Sequence, residues 1–238
     1  DGLNLSIEAL DGLIKHNGKI TNTNKLNSIL GKNFFKRKIK LKKQPSLEAQ
    51  IASISDDIAY NSHDLEDGIK ANLFKIEELK DIAILNDIVV KNLKNKRKKD
   101  NQIIVRQIVR EIINEMVEDI ILNIKHNLKN NKINKLADVY NSKNLIVIFS
   151  HKMRKFDMQI KEFLREKMYY SKQVLKKTNE GKKIIDFLFK QIKNNKRMFI
   201  NINDYKHYGV RSICDFIAGM TDRYAINLYK KLKWIFII

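Results

Sequence analysis

Three residues of this 238-residue chain have the types and spacing to do chemistry together. They are Asp56, Tyr60 and Asp64, at i, i+4 and i+8. At about 100° per residue such positions form one line down the side of a helix. The line presents carboxylate, phenol, carboxylate, and carboxylate oxygens are the ligands a hard divalent cation takes. The solvated side of an ordinary amphipathic helix looks the same, and spacing alone leaves both readings open.

The element that must position this row runs from Pro45 to Phe74. Pro45 is the only proline in the chain, and proline is tolerated just before or at the start of a helix, where no backbone N–H is needed. Ser46 is a natural N-cap, and Glu48 places negative charge in the first turn, where the helix dipole favours it. Leu47, Ile51, Ile54, Ile58, Leu65 and Ile69 recur at helical spacing and form an apolar stripe roughly opposite the polar row. One face is therefore built for a core and the other for solvent or a ligand. Gly68 is the expected kink or break.

The string SLEAQIASISDDIAYNSHDLEDGIKANL resembles the signature helix of the bacterial deoxynucleoside triphosphate triphosphohydrolases, the dGTPase-like branch of the HD-domain phosphohydrolases. Two further stretches carry the same resemblance, GLNLSIEALDGLIKHNG near the start and VRSICDFIAGMTDRYA near the end, with a weaker match in FLREKMYYSKQV. The resemblance implies that Asp56 is the last metal ligand of the family's H…HD…D set. It implies that Tyr60 and Asp64 contact the deoxyribose of the substrate: the carboxylate accepts a hydrogen bond from the 3′-hydroxyl and the ring packs on C2′, where a 2′-hydroxyl would crowd it. A divalent metal, Mg or Mn, belongs to the intact family's site. His63-Asp64 is the only His-Asp dipeptide in the chain, but it falls inside this helix string and reads as a surface histidine, not as the family's metal-binding pair.

That upstream pair has no counterpart here. His16 alone precedes the helix, and His126, His151 and His207 are scattered downstream. One carboxylate does not hold a catalytic metal, which needs several protein ligands and an open position. The resemblance thus implies the C-terminal part of a family member, truncated at its N-terminus, with no catalytic residue in this chain and no activity by itself. The alternative is a residual helical binding or assembly module that contacts nucleotide or nucleic acid through its basic surface.

Composition supports the class. With one proline and eight glycines among abundant Ile, Leu, Lys and Asn, an all-α fold is expected, here a multi-helix bundle of HD-domain type with an added C-terminal helical region. The expected division is 1–80 for the phosphohydrolase part and 81–238 for the helical remainder. The net charge is +20, a field that attracts nucleoside triphosphates and nucleic acid, although the Ile/Asn/Lys enrichment also looks like the drift of an AT-rich genome. The lone Cys214 forms no internal disulfide and suits a reducing, cytoplasmic setting. No apolar run is long enough to cross a membrane.

Along the rest of the chain, a short helix is expected from Ser6 to Lys15, stopped at Asn17-Gly18, with His16 as a structural histidine at its end. Residues 19–44 read as a basic excursion, 79–90 as an apolar helix, and Lys91–Lys99 as the densest basic run. The clearest periodicity, over 101–128, predicts a core or subunit-interface helix, hence a homo-oligomer. Residues 129–142 read as a polar connection and 144–170 as a helix with an aromatic stripe. A further helix is expected over 180–195, and Thr221 is expected to cap the last one.

Overall fold

The computed structural model describes residues 3–24, 39–94 and 101–236, so residues 25–38 of the basic excursion and Lys96–Lys99 of the basic run lie outside the described residues. Every regular element among the described residues is helical. The chain divides into two compact units, Asp1–Met168 and Tyr169–Ile238. The expected division at 80/81 falls inside the first unit, because Leu79 and Leu85, both fully buried, share one core with Ile58 and Ile112.

In the first unit, α1 (Ile7–Ile14) is capped by Ser6 and α2 (Leu47–Lys70) by Ser46, each hydroxyl accepting from a backbone N–H three residues on. The loop after α1 turns at Gly18, whose φ of 97° is open to glycine and costly to most other residues. A 3-10 turn, Ile76–Asp81, leads into α3 (Ala83–Lys94). The 30-residue α4 (Asn101–Asn130) follows, about 45 Å long at 1.5 Å per residue. Then come α5 (Leu136–Asn141) and α6 (His151–Leu164), whose last turn widens into a π-turn at Arg165–Tyr169. The core gathers Ile58 and Leu65 of α2, Leu85 and Val89 of α3, Ile104 to Ile120 of α4, and Phe156, Ile160 and Leu164 of α6. Each such side chain fully removed from water contributes roughly 1.5–3 kcal/mol.

Several local expectations change. Gly68 does not break α2; the helix runs on to Lys70 and ends in a Schellman motif. Asn72 takes φ 55°, its N–H bonds Ile69 O, and the Leu73 N–H bonds Gly68 O. Gly68 is there because the Phe74 ring lies where a Cβ would be, 2.3 Å from Cε1, and that ring is held edge-on by Phe163 at 4.9 Å. The apolar stripe of α2 holds at Ile58 and Leu65 but not at Ile51, which is 45% exposed. The polar connection 129–142 contains α5, and 144–150 is not helical: α6 begins only at His151, after the Ser150 cap.

The non-helical segment has a specific partner. The buried Gln50 side chain accepts from the N–H groups of Ile146 (2.8 Å) and Val147 (3.0 Å) and donates to Pro45 O (2.9 Å). A helix through 144–150 would use those N–H groups internally; the amide offers them an alternative. Ser150 is fixed in turn by the Asp119 carboxylate of α4, which accepts from its N–H and its hydroxyl.

α1 inverts the usual rule. Leu3, Leu5 and Leu13 are exposed, while Asp11 and Lys15 are buried, with Lys15 Nζ 2.6 Å from Asp11 Oδ1 and 5.7 Å from the centre of the Tyr140 ring. The motif residue Lys15 thus holds the end of α1 in place by a buried ion pair.

The second unit is built from α7 (Lys172–Asn194), α8 (Ile202–Tyr208), α9 (Val210–Ala218) and α10 (Asp222–Phe236). α7 starts eight residues before the expected 180, because Ser171 caps it. Its C-terminal half packs Leu188 and Ile192 against Ile213, Ala225 and Leu232. Thr221 caps α10 as expected, its hydroxyl accepting from the Tyr224 N–H. Arg223 is exposed, and Asp215 pairs with Arg211 at 2.7 Å.

Three outcomes are expected. Gln50→Ala orphans two buried N–H groups and a carbonyl, lowering stability by about 2–4 kcal/mol in urea denaturation at 1–3 kcal/mol per unsatisfied group with partial relaxation. Gly68→Val, which drives two methyls into the Phe74 ring, lowers stability by about 1–3 kcal/mol. The third concerns pH. Glu66 is held below the ordinary carboxylate range, first by the hydrogen bond from Lys70 and then by the charges of Lys70 and Arg106. A lowered folded-state value means stabilisation that is present above the ordinary value of about 4.3 and is lost as pH falls through the lowered one. Unfolding followed from pH 7 to pH 3 should therefore lose stability at the acid end, and Glu66→Gln should flatten that slope.

Candidate functional site

The row expected on α2 forms as drawn. Asp56 and Tyr60 are well exposed, the tyrosine 66%, and Asp64 is half-buried on the same side; His63 is also exposed. Asp56 and Asp64 are separated by about 12 Å of helix rise. None of this would face outward unless the rotation of α2 were fixed. Gln50 and Asn61, eleven residues apart, lie within about 20° of each other around the helix, and both are buried. Gln50 is bound to the 146–147 backbone, and Asn61 Nδ2 donates to Asp157 Oδ1 of α6 at 2.7 Å. Asp157 also pairs with Lys161 at 3.0 Å, and Lys161 lies 3.7 Å from Asp57.

At the start of α2 the Glu48 carboxyl is held below its usual range by hydrogen bonds from its own backbone N–H and from Ser46. That is the interaction a helix N-terminus offers an acid. It keeps the first turn wound where α1 crosses it, with Gly12 against Ala49: a Cβ on Gly12 would lie 3.3 Å from the alanine Cβ.

His16, expected as a structural histidine at the end of α1, lies beside the row: the close crossing at Gly12 and Ala49 brings its Nε2 to 3.6 Å from Asp56 Oδ2. It falls in GLIKHNG, a string that carries the same family resemblance as α2. His16 also borders two clefts. One, of about 740 Å³, is lined by Ser53, Asp57, Phe149, Arg154 and Asp157. The other, of about 570 Å³, is an apolar groove between α1, α2 and α5, lined by Leu5, Gly12, Leu13, Ala52, Leu136 and Tyr140. Asp56, Tyr60 and Asp64 line neither; they form an open wall.

The donor set around Asp56 does not fit a divalent cation by itself. It comprises one carboxylate and one imidazole, and among the described residues no three His, Cys, Asp or Glu side chains come together. A resident metal takes at least three protein ligands in the usual catalytic sites. What the wall can do with its own groups is accept hydrogen bonds from hydroxyls at Asp56 and Asp64 and offer an exposed ring face at Tyr60. Its partners, Lys161 and Lys70, keep the neighbouring carboxylates Asp57 and Glu66 compensated. No helix among the described residues is long and apolar enough to cross a membrane.

Comparison with known proteins agrees with the motif resemblance. Residues 147–231 match the phosphohydrolase-associated domain. A deoxyguanosinetriphosphate triphosphohydrolase-like protein of Pelagibacter ubique (strain HTCC1062) is 50% identical over 229 residues, covering 96% of this chain and 62% of that protein. Proteins with the same description are 34% identical in Bartonella henselae, over 98% of this chain and 60% of the relative, and 35% identical in Rickettsia rickettsii (strain Iowa), over 98% and 62%. The chain thus spans about three fifths of the length of these curated relatives. Over nearly all of its length the chain is similar to dGTPase-like proteins, and its C-terminal part matches the phosphohydrolase-associated domain.

Proposed function

We propose that this chain supplies the sugar-and-metal wall of a deoxynucleoside triphosphate triphosphohydrolase, which hydrolyses dNTP to deoxynucleoside and tripolyphosphate. The observation that carries the reading is the line of Asp56, Tyr60 and Asp64 on the solvent face of α2, within the string that resembles the family's signature helix. In this reading Asp64 accepts a hydrogen bond from the 3′-hydroxyl, and the exposed Tyr60 ring packs on C2′, so that a 2′-hydroxyl is excluded by contact. Asp56 contributes one carboxylate to a divalent cation, Mg or Mn, and His16 stands beside it. The other metal ligands and the groups that work on the phosphate come from outside the described residues.

Two consequences belong to the same proposal. The 238-residue chain by itself does not turn over dNTP, because its wall lacks an opposing set of histidines. Residues 1–80 act as the phosphohydrolase part and 81–238 as the helical remainder, through which copies assemble into a homo-oligomer. The half-exposed Val117 and Ile121 of α4 support that assembly. The lone, exposed Cys214 fits a reducing, cytoplasmic setting.

The test is a chimera in which this chain replaces the matching region of the Pelagibacter ubique relative, assayed for tripolyphosphate release beside the unaltered relative. The chimera should turn over dNTP. Asp56→Ala and Asp64→Ala should each lower kcat/KM at least 100-fold, and Tyr60→Ala should narrow the preference for dNTP over NTP at least tenfold. A folded chimera that is inactive while the relative is active, or one that keeps full activity as Asp56→Ala, overturns the reading. Tripolyphosphate release by the 238-residue chain alone, lost in Asp56→Ala, overturns the claim that it is inactive by itself.

A further inference from the structure

α1 turns an apolar side to solvent. Leu5, Ala9 and Leu13, at i, i+4 and i+8, form one wall of the 570 Å³ groove. Leu5 is 40% exposed and Leu13 65%. The Asp11–Lys15 ion pair occupies the buried side of the helix and so holds the leucines outward. Leu136 of α5, 52% exposed, stands on the facing wall. The floor is made of small residues, Gly12, Ala49 and Ala52, over which another helix can pass closely. Exposed apolar surface gathered in this way marks an interaction site.

The groove opens onto the Asp56 wall. Ala52 lies one helical turn before Asp56 on the same side of α2, so positions 52, 56, 60 and 64 form one line. His16, which lines the groove, is 3.6 Å from Asp56. A segment seated in the groove therefore runs directly up to Asp56. The lining contains no lysine or arginine, and exposed Glu8 and Glu48 stand on its rim, so a nucleotide or another polyanion is repelled. The curated relatives meanwhile extend beyond their match to this chain by nearly two fifths of their length.

We propose that, given the incomplete Asp56 wall inferred above, this groove is the docking surface for a helix from the part of the relatives' polypeptide that lies outside the match. Leu5, Leu13 and Leu136 grip its apolar side, and the small floor lets it lie low enough to reach Asp56. A second copy of this chain fits less well. A symmetric contact would set two concave surfaces against each other with the same acids on both rims.

The test compares thermal unfolding, followed by circular dichroism, of the 238-residue chain and of the Pelagibacter ubique chimera, each with and without L5K/L13K. In the 238-residue chain both leucines already face water, so the variant should shift Tm by less than about 2 °C. In the chimera the groove is covered, and the same variant should lower Tm by at least about 5 °C. The control, M158K/M198K, changes exposed methionines outside the groove and should shift neither protein by more than about 2 °C. Small shifts in both proteins overturn the proposal, because the leucines then stay in water. Large shifts in both also overturn it, because the groove is then covered within the isolated chain or by a second copy. A second measurement needs no fusion. The unmatched part of the relative, co-expressed with the histidine-tagged 238-residue chain, should co-purify with it and should fall at least tenfold with L5K/L13K but not with the control. No co-purification, or none that depends on the leucines, counts against the docking surface. A chimera that shows the Tm loss yet releases no tripolyphosphate upholds the docking surface and sinks the functional reading; an active chimera without the Tm loss does the reverse.

Discussion

Two buried amides govern the architecture around α2. Gln50 and Asn61 lie on one side of that helix, and each is satisfied by the segment that runs from 146 to 157. A buried amide left without partners costs far more than a satisfied one contributes. The helix therefore has a single acceptable rotation. Once it is set, Ile58 and Leu65 must enter the core and Asp56, Tyr60 and Asp64 must face out. Hydrophobic burial stabilises this arrangement, but it is non-directional; the amides select the angle.

The same economy of backbone groups explains the irregular stretch before α6. Residues 144–150 look helical in composition, and the aromatic spacing continues into α6. Yet Gln50 takes the N–H groups of Ile146 and Val147, and Asp119 takes that of Ser150. Two side chains placed far away in sequence take three N–H groups and so displace a helix that would otherwise start seven residues earlier. The Ser150 cap then defines where α6 begins.

The two units differ in how they handle charge. In the first, carboxylates around the wall are matched by lysines and arginines: Asp157 and Asp57 with Lys161, Glu66 with Lys70 and Arg106, Glu78 with Lys167. Most of these pairs are partly exposed and contribute little to stability individually. In the second unit the acids are sparser, and among its described residues ion pairs form at Lys190–Asp186 and Arg211–Asp215.

The sequence by itself determined the helical class, the caps at Ser46 and Thr221, the two-faced character of α2 and the alignment of Asp56, Tyr60 and Asp64 along one side of it. These depend on interactions within a few residues or on a 3.6-residue period, and both are written locally. The family was legible because three separate strings match it, two of them flanking the site. Only the tertiary structure decided that Gly68 makes room for Phe74, that Lys15 is buried against Asp11, and that His16 meets Asp56. Each of those depends on which residue arrives from an element that is distant in the chain, through a crossing angle that no local period encodes.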